Sequence, residues 1–256
     1  MASETSRVET YEADGIIEIR FRSEKALNLL DETLLAGLVD AARALEDRDD
    51  LRAALIIGGE SHFTAGMNLN ARGETAPKGS AGRPRSTLLG PRACAAIEAI
   101  PVPTLAVIEG HCIGGGMAIA AACDFRIVAE GARLRVPEIA LGMSMGWQSL
   151  PRFVALMGPA KAKRLVMLAE TISAATADAW GFVDELAPDG QALARARAWA
   201  ASLAAMPALP VRMTKRAINA VANALHEPIS HMDGDQLAFT LTTEEFRTAA
   251  ARFRKT

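Results

Sequence analysis

The chain has 256 residues, of which 50% are hydrophobic and 23% are charged, and this composition indicates a globular protein instead of a disordered or fibrous one. Its formal net charge of −2 gives no overall attraction for a nucleic-acid backbone or an anionic membrane, so we expect neither as a partner. The three cysteines lack the spacing of zinc ligands or of a redox pair. They predict buried thiols in a reducing, cytoplasmic environment.

The first half of the chain predicts strands that alternate with helices. The turn signal Asp14-Gly15 separates two short runs of alternating hydrophobicity and indicates a hairpin. Asp31 is a candidate N-cap for the first helix. This order predicts an α/β core with parallel crossover connections. The predicted strands cover residues 8–11, 16–21, 53–57, 105–108 and 125–129, and the predicted helices 32–45, 86–100 and 117–122.

From about residue 145 the sequence predicts helices alone, interrupted at Gly158-Pro159 and at Pro207. We therefore expect an α/β core over residues 1–190 and a helical region over residues 191–256, without a flexible linker between them. The stretch 71–85 holds three glycines and two prolines without periodicity, which favours a surface loop. The predicted helices of this half cover residues 147–157, 159–169, 176–180, 191–205, 211–222 and 228–254.

Two segments of small residues could place backbone N–H groups in a cavity. The first reads HFTAGMNL at residues 62–69 and forms a tight turn after a strand. The second reads GHCIGGGM at residues 110–117, where a strand meets the first turn of an apolar helix. Free N–H groups and the helix dipole at such a turn favour a developing negative charge. Close backbone packing is the alternative explanation for the glycines.

Together with two further segments, these motifs resemble the crotonase (enoyl-CoA hydratase/isomerase) superfamily. The resemblance spans residues 7–185 and, more loosely, the helical tail. It implies a ClpP/crotonase-like α/β spiral of β-β-α units, a helical C-terminal region that drives assembly into a homotrimer or a dimer of trimers, and an acyl-CoA or enoyl-CoA substrate. Coenzyme A would be carried by the substrate, and no other cofactor is implied. The two further segments are ALNLLD at residues 26–31 and VPEIALG at 136–142.

The resemblance also implies roles for single residues. Met67 and Gly115 match the positions whose backbone N–H groups form the oxyanion hole for the thioester oxygen. Two such donors stabilise an enolate, and each is worth about 10²–10³ in rate. Glu138 matches one of the two glutamates that hydratases use, and its apolar neighbours predict a raised pKa that suits an acid/base catalyst. A surface carboxylate that caps a helix is the alternative.

The chain departs from the family pattern at Ala118, where hydratases carry their second glutamate. One glutamate suffices for an isomerase that moves a double bond from the 3- to the 2-position, and some lyases of the family also keep only this one. We therefore expect isomerase-type chemistry. Hydration or lysis of a CoA thioester is the first alternative, and an acyl-CoA-binding protein without catalysis is the alternative from another class.

The acyl group and the coenzyme A portion of the substrate would contact different parts of the chain. The segment after Gly142 is about three residues shorter than is usual in the family. Trp147 is then either an acyl-pocket residue beside Ala118 or an ordinary core aromatic. For coenzyme A, the resemblance implies Lys25, the backbone at Thr64 and Ala65, and Lys255 in the basic tail. Solvated surface cations are the alternative reading of both lysines.

Other kinds of site fit the sequence less well. The glycine turn has Ile119 where a dinucleotide-binding fingerprint needs its third glycine or alanine. A Gly-Lys-Ser/Thr phosphate loop is missing from the sequence, and the four histidines show no ligand spacing, so we predict no metal. We expect Glu109 and Asp124, the acidic residues that flank the glycine turn, to be structural.

Overall fold

The computed structural model describes residues 6–24, 27–68 and 85–253 of the protein. Its centre is a six-stranded sheet in the order β1-β2-β3-β4-β6-β9. The first two strands form an antiparallel hairpin, and all other neighbours are parallel, which confirms the predicted α/β core. The strands of this sheet are β1 (Arg7–Ala13), β2 (Ile16–Arg22), β3 (Ala53–Ile57), β4 (Thr104–Ile108), β6 (Phe125–Ala129) and β9 (Glu185–Ala187).

The predicted turn and cap at the start of the chain are both present. Asp14 and Gly15 have φ values of 53° and 74°, the left-handed conformation that a two-residue hairpin turn requires. Asp31 accepts a hydrogen bond of 2.9 Å from the N–H of Leu34 and so caps the first helix. These local signals fix the path of the chain from the hairpin into the helix.

Helices cover both faces of the central sheet. Every residue of β3 and β4 is buried, as expected of parallel strands with a layer on each side. One face contributes to the main hydrophobic core beneath the helices α1 (Glu32–Arg43), α2 (Arg85–Ala99) and α3 (Gly115–Ala122). On the other face lies α6 (Ala192–Ala204), whose residues Ala192, Ala196 and Ala200 have small side chains that allow a close approach to the sheet.

A second, three-stranded sheet in the order β5-β7-β8 was not predicted from the sequence. Two of its strands are three residues long and the third has two, which is too short to show a period. The glycine turn predicted for residues 110–116 therefore contains a strand. The strands are β5 (His111–Ile113), β7 (Arg133–Arg135) and β8 (Ile172–Ser173).

The second half of the chain is mainly helical, as predicted, but contains β8 and β9. The long helix predicted for residues 228–254 is wrong, since this stretch forms three short helices. One break is explained by the hydroxyl of Thr243, which accepts a hydrogen bond from the N–H of Phe246 and caps the last helix. The helices are α1 (Glu32–Arg43), α2 (Arg85–Ala99), α3 (Gly115–Ala122), α4 (Ser149–Leu168, kinked at Gly158), α5 (Ala174–Ala179), α6 (Ala192–Ala204), α7 (Ala208–Ala222), α8 (His226–Ser230), α9 (Asp233–Thr240) and α10 (Glu244–Phe253).

The division of the chain at residue 190 falls between β9 and α6 and stays a prediction. Across the described ranges, none of the helices has the length and apolar character needed to span a lipid bilayer. The same ranges hold no group of three or more His, Cys, Asp or Glu side chains placed to bind a metal ion.

Candidate active site

A ladder of backbone hydrogen bonds joins the two small-residue segments. The N–H of Thr64 donates to the carbonyl of His111 at 2.9 Å, and the N–H of Ile113 donates to the carbonyl of Thr64 at 3.0 Å. This is a parallel bridge, so the chain leaves both segments at the same end of the ladder. The turn after Thr64 and the glycines after β5 therefore meet.

The pairing of β5 with β7 brings the third segment to the same edge. Ile113 lies opposite Arg135 in this parallel pair, and the N–H of Gly114 donates to the carbonyl of Arg135 at 2.9 Å. Because the carboxyl ends of parallel strands share one edge of a sheet, Glu138, three residues after Arg135, reaches the glycine turn. The sequence places these groups far apart, and the small sheet assembles them.

Met67 is held so that its own N–H group faces away from the ladder. The N–H of Leu30 donates to the carbonyl of Gly66, and the N–H of Asn68 donates to the carbonyl of Leu30, both at 2.8 Å. In a parallel bridge these flanking residues carry the bonds, so the N–H of Met67 points to the opposite side. Gly66 has a φ of 92°, and a Cβ there would lie 3.0 Å from the carbonyl oxygen of Ile113, so the turn requires glycine.

Gly115 supplies a second N–H group at the start of α3. It is the first residue of that helix, where an N–H has no carbonyl partner one turn earlier, and the helix dipole adds positive potential. Gly114 before it has a φ of 56°, which turns the chain sharply from β5 into the helix. Gly115 and Met67 both line the same cavity.

The cavity has a volume of about 630 Å³ and a mainly apolar wall. Its charged side chains are those of Glu138, Arg135 and Arg252, so among the described residues that line it Glu138 is the only carboxylate. An apolar cleft with a few convergent polar groups is the usual form of a small-molecule site. Its apolar wall includes Leu29, Met67, Ile113, Met143, Met145 and Trp147.

The carboxyl group of Glu138 lies against the glycine turn. A Cβ on Gly114 would be 2.8 Å from its Oε1 atom, and its Oε2 atom is buried with no hydrogen-bond partner among the described residues. Burial raises the pKa of Glu138 from 4.5 to about 7, although a backbone hydrogen bond and the positive charge of Arg135 oppose the rise. A group with this pKa can both accept and return a proton near neutral pH.

The indole of Trp147 forms the wall of the cavity beside Gly115. A Cβ on Gly115 would lie 2.5 Å from the ring, so the ring lies directly against the backbone of this glycine. Trp147 is 8% exposed and belongs to the main hydrophobic core as well as to the cavity wall. Trp147 is therefore both a core aromatic and a residue of the cavity wall, the two alternatives that the sequence left open.

The turn that carries Trp147 is left-handed at two successive non-glycine residues, with φ values of 64° at Trp147 and 56° at Gln148. The guanidinium of Arg152 donates to the carbonyls of both residues, and Asp233 accepts a hydrogen bond of 2.9 Å from the N–H of Gln148. Arg152 is itself held by a bidentate ion pair with Glu98, at 3.0 Å for each bond. Residues from three helices thus stabilise a strained turn that local sequence does not favour.

Two of the predicted site residues lie elsewhere than expected. Ala118 is fully buried in α3, where all eight residues are buried, and it is not among the residues that line the cavity. Thr64 is also fully buried, and its N–H and carbonyl are used in the ladder, so it supports the site instead of facing a ligand. The reason in both cases is packing, which the motif alone does not show.

The remaining predicted contacts to coenzyme A are only partly within the described structure. Ala65 lines the cavity. Lys25 and Lys255 lie outside the described residues.

Glu109 and Asp124 have structural roles, as predicted. The carboxylate of Glu109 accepts hydrogen bonds from the N–H groups of Gly190 and Ala192 at the start of α6. Asp124 forms an ion pair of 2.6 Å with Lys215. Sequence reasoning missed Arg152, Glu98 and Asp233, which come from separate helices and share no local pattern.

The chain is similar to known proteins of one family. The family described as enoyl-CoA hydratase/isomerase matches residues 11–256. The chain is 32% identical over 219 residues to the probable enoyl-CoA hydratase echA8 of Mycobacterium tuberculosis (strain CDC 1551 / Oshkosh), a match that covers 86% of this chain and 82% of that protein. It is 29% identical over 236 residues to a crotonyl-CoA hydratase of Syntrophomonas wolfei, covering 90% of this chain and 87% of that protein.

The fold is shared with solved structures of the same family. A crystal structure of an enoyl-CoA hydratase from Mycobacterium avium subsp. paratuberculosis K-10 is similar with a TM-score of 0.87 and 25% identity, over 98% of this chain and 96% of that one. The chain therefore belongs to the enoyl-CoA hydratase/isomerase family and has the crotonase fold.

Proposed function

We propose that the protein stabilises the enolate of an acyl-CoA thioester and uses Glu138 as a single base to move a double bond from the 3- to the 2-position. The observation that carries this proposal is the cavity wall, where Glu138 is the only carboxylate among the described residues. Double-bond migration needs one group that removes and returns a proton, whereas the family's hydration chemistry uses two carboxylates around one water.

The geometry supports each step of this reaction. The N–H groups of Met67 and Gly115 donate hydrogen bonds to the thioester oxygen and stabilise the negative charge that develops there. Glu138, whose pKa burial raises to about 7, takes a proton from the carbon next to the thioester. The resulting dienolate carries charge on the oxygen and on the carbon at the far end of the conjugated system. Glu138 returns the proton to that carbon, which leaves the double bond at the 2-position.

Hydration is the second candidate, because relatives of the chain are named as hydratases. It would require a second group to hold the water, and Ala118 cannot provide one. Loss of a positioned acid or base typically lowers a rate by about 10²–10⁴. A lyase would use the same oxyanion hole and the same Glu138, and a binding protein without catalysis has no need for a carboxyl group buried at this point of the cavity.

We propose that coenzyme A enters as part of the substrate and that the protein uses no separate cofactor. Ala65 at the cavity wall faces part of the coenzyme, and Lys25 and Lys255 bind its nucleotide portion. Arg252 also lines the cavity and supplies a further cation for the phosphates.

We also propose that the chain forms a homotrimer or a dimer of trimers. The support comes from α7, a 15-residue helix with no buried residue in the single chain. A helix of this length gains most of its stability from packing an apolar face. Leu209, Met213, Ile218 and Val221 of this helix are all at least 60% exposed and would be covered by a neighbouring subunit.

The reaction is tested by incubating the purified protein with 3-enoyl-CoA and 2-enoyl-CoA and following double-bond migration and water addition separately. We expect migration from the 3-enoyl substrate, with water addition at least about 100-fold slower. Hydration as fast as migration would contradict the single-base proposal and establish the hydratase. Tight binding without either reaction would point to a lyase or to a binding role.

A further inference from the structure

The ring of Trp147 packs against two glycines of different helices. Its Cη2 and Cζ3 atoms lie nearest to Gly115 at the start of α3, and its Cε2 and Cδ2 atoms lie nearest to Gly90 within α2. A Cβ at either glycine would overlap with the ring. The indole therefore occupies a slot between α2 and α3 that only glycines leave open.

The slot lies next to the proposed oxyanion hole, so the indole limits the space that is left for the acyl chain. The N–H of Gly115 is one of the proposed donors to the thioester oxygen, so the first carbons of the acyl group must lie close to Gly115. Since Trp147 is in direct contact with Gly115 and lines the cavity, an acyl chain meets the indole soon after it leaves the thioester. The space between α2 and α3, in which a longer chain could continue, is already filled by the ring.

The ring is fixed in this place. It is 8% exposed, and its backbone turn is held by Arg152, which donates to the carbonyls of Trp147 and Gln148, and by Asp233, which accepts from the N–H of Gln148. Arg152 is in turn paired with Glu98 of α2. Because two buried charged residues hold its turn, the indole forms a fixed part of the cavity wall.

We propose that Trp147 is the residue that determines acyl-chain length, and that it restricts the substrate to acyl-CoA thioesters with short acyl groups. This inference rests on the proposed function, since it takes an acyl-CoA as the ligand of the cavity. It goes beyond that function by assigning the size of the acyl group to one side chain.

The test measures the affinity of saturated acyl-CoA thioesters from four to twelve carbons for the wild-type protein and for Trp147→Ala. Wild-type affinity should stop rising, or fall, beyond short chains. In Trp147→Ala the opened slot should let affinity rise about fourfold for each further methylene that it buries, until the slot is filled. Trp147→Phe, which keeps a ring in the core, should shift the limit by a smaller amount and serves if the alanine variant does not fold.

Trp180→Phe is the matched control, because Trp180 contacts Arg164 and is not among the residues that line the cavity. It should keep the wild-type profile. A wild-type affinity that rises steadily to twelve carbons, or identical profiles for the wild type and both Trp147 variants, would overturn the inference. Because saturated thioesters bind without turnover, a shifted profile supports the inference even if no double-bond migration is found, and a lack of any acyl-CoA binding overturns both proposals.

Discussion

The proposed catalytic role of Glu138 and a cost in stability both follow from the burial of its carboxyl group. Burial raises the pKa of Glu138 to about 7 in the folded protein, from an ordinary value of 4.5. Between these two values the folded state keeps a proton that the unfolded state releases. The free energy of unfolding therefore loses a contribution as the pH rises from about 4.5 to about 7.

This linkage predicts that Glu138→Gln stabilises the protein above neutral pH. The shift of the pKa corresponds to about 3 kcal/mol, so the variant should exceed the wild type by up to that amount at pH 8 and by much less at pH 4. Urea unfolding at the two pH values measures the difference. The exposed Glu24→Gln is the control and should show no such pH dependence. An equal stability of the wild type and Glu138→Gln at pH 8 would mean that Glu138 is not held in a buried, protonation-favouring site.

Gly114 positions the same carboxyl group. A Cβ at this residue would lie 2.8 Å from Oε1 of Glu138, and the φ of 56° is unfavourable for a side chain. We expect Gly114→Ala to displace Glu138 and to lower kcat by about 10²-fold or more, since a displaced base transfers protons poorly.

The control for this substitution is Gly190→Ala. Gly190 also has a left-handed φ, of 77°, but a Cβ there would meet nothing within 4 Å. Both variants should lose stability through backbone strain, Gly114→Ala by more because its ψ of −113° lies outside the left-handed helical region. Only Gly114→Ala should lose activity. Steady-state kinetics and thermal unfolding separate the two effects. Equal activity of the two variants would show that Gly114 serves the backbone turn alone.

At the scale of elements, the sequence predicts well what is encoded locally. The limits of β3 and β6 are as predicted, because each is a short, mainly apolar run bounded by polar residues or glycine. β5, β7, β8 and β9 were missed, because strands of two or three residues form only through pairing with partners far away in the chain. The helix predicted for residues 228–254 failed because local caps and turns compete with its continuation.

The candidate site divides in the same way. The motifs mark Met67, Gly115 and Glu138, and the structure brings all three to one cavity. They do not show that Ala118 and Thr64 are fully buried, because burial depends on which segments pack around them. The support of Trp147 by Arg152, Glu98 and Asp233 joins α4, α2 and α9, and no pattern within one helix predicts contacts among three.

The ion pair between Arg152 and Glu98 connects α4 to α2 next to the cavity. Arg152 is 3% exposed, so removal of Glu98 leaves a buried guanidinium without its ion-pair partner. Removal of Arg152 takes away the donor to the carbonyls of Trp147 and Gln148. We expect Arg152→Met and Glu98→Ala each to destabilise the protein by about 3 kcal/mol. The double variant should lose at least about 1 kcal/mol less than the sum of the two. Urea unfolding of the four proteins measures this coupling, and strictly additive losses would show that the two side chains act independently.

At the scale of the whole molecule, the exposed apolar side of α7 predicts assembly. Val221 is 81% exposed in the single chain, a large value for an aliphatic side chain beside other exposed apolar residues. Val221→Asp should lower the molar mass measured by light scattering toward that of a monomer, because a buried unpaired charge is costly in an interface. Val221→Thr keeps the shape without the charge and should stay assembled. A monomeric wild type would contradict the proposed trimer.

In the proposed reaction Glu138 moves a proton at the carbon next to the thioester. The most direct measurement is the loss of deuterium from a 3-enoyl-CoA labelled at that carbon, followed by NMR for the wild type and Glu138→Gln. We predict rapid loss in the wild type, at a rate that increases as the pH rises through about 7, because the base must be ionised. We predict a loss at least about 100-fold slower in Glu138→Gln, with substrate affinity unchanged. Loss at the wild-type rate in Glu138→Gln would show that another group is the base.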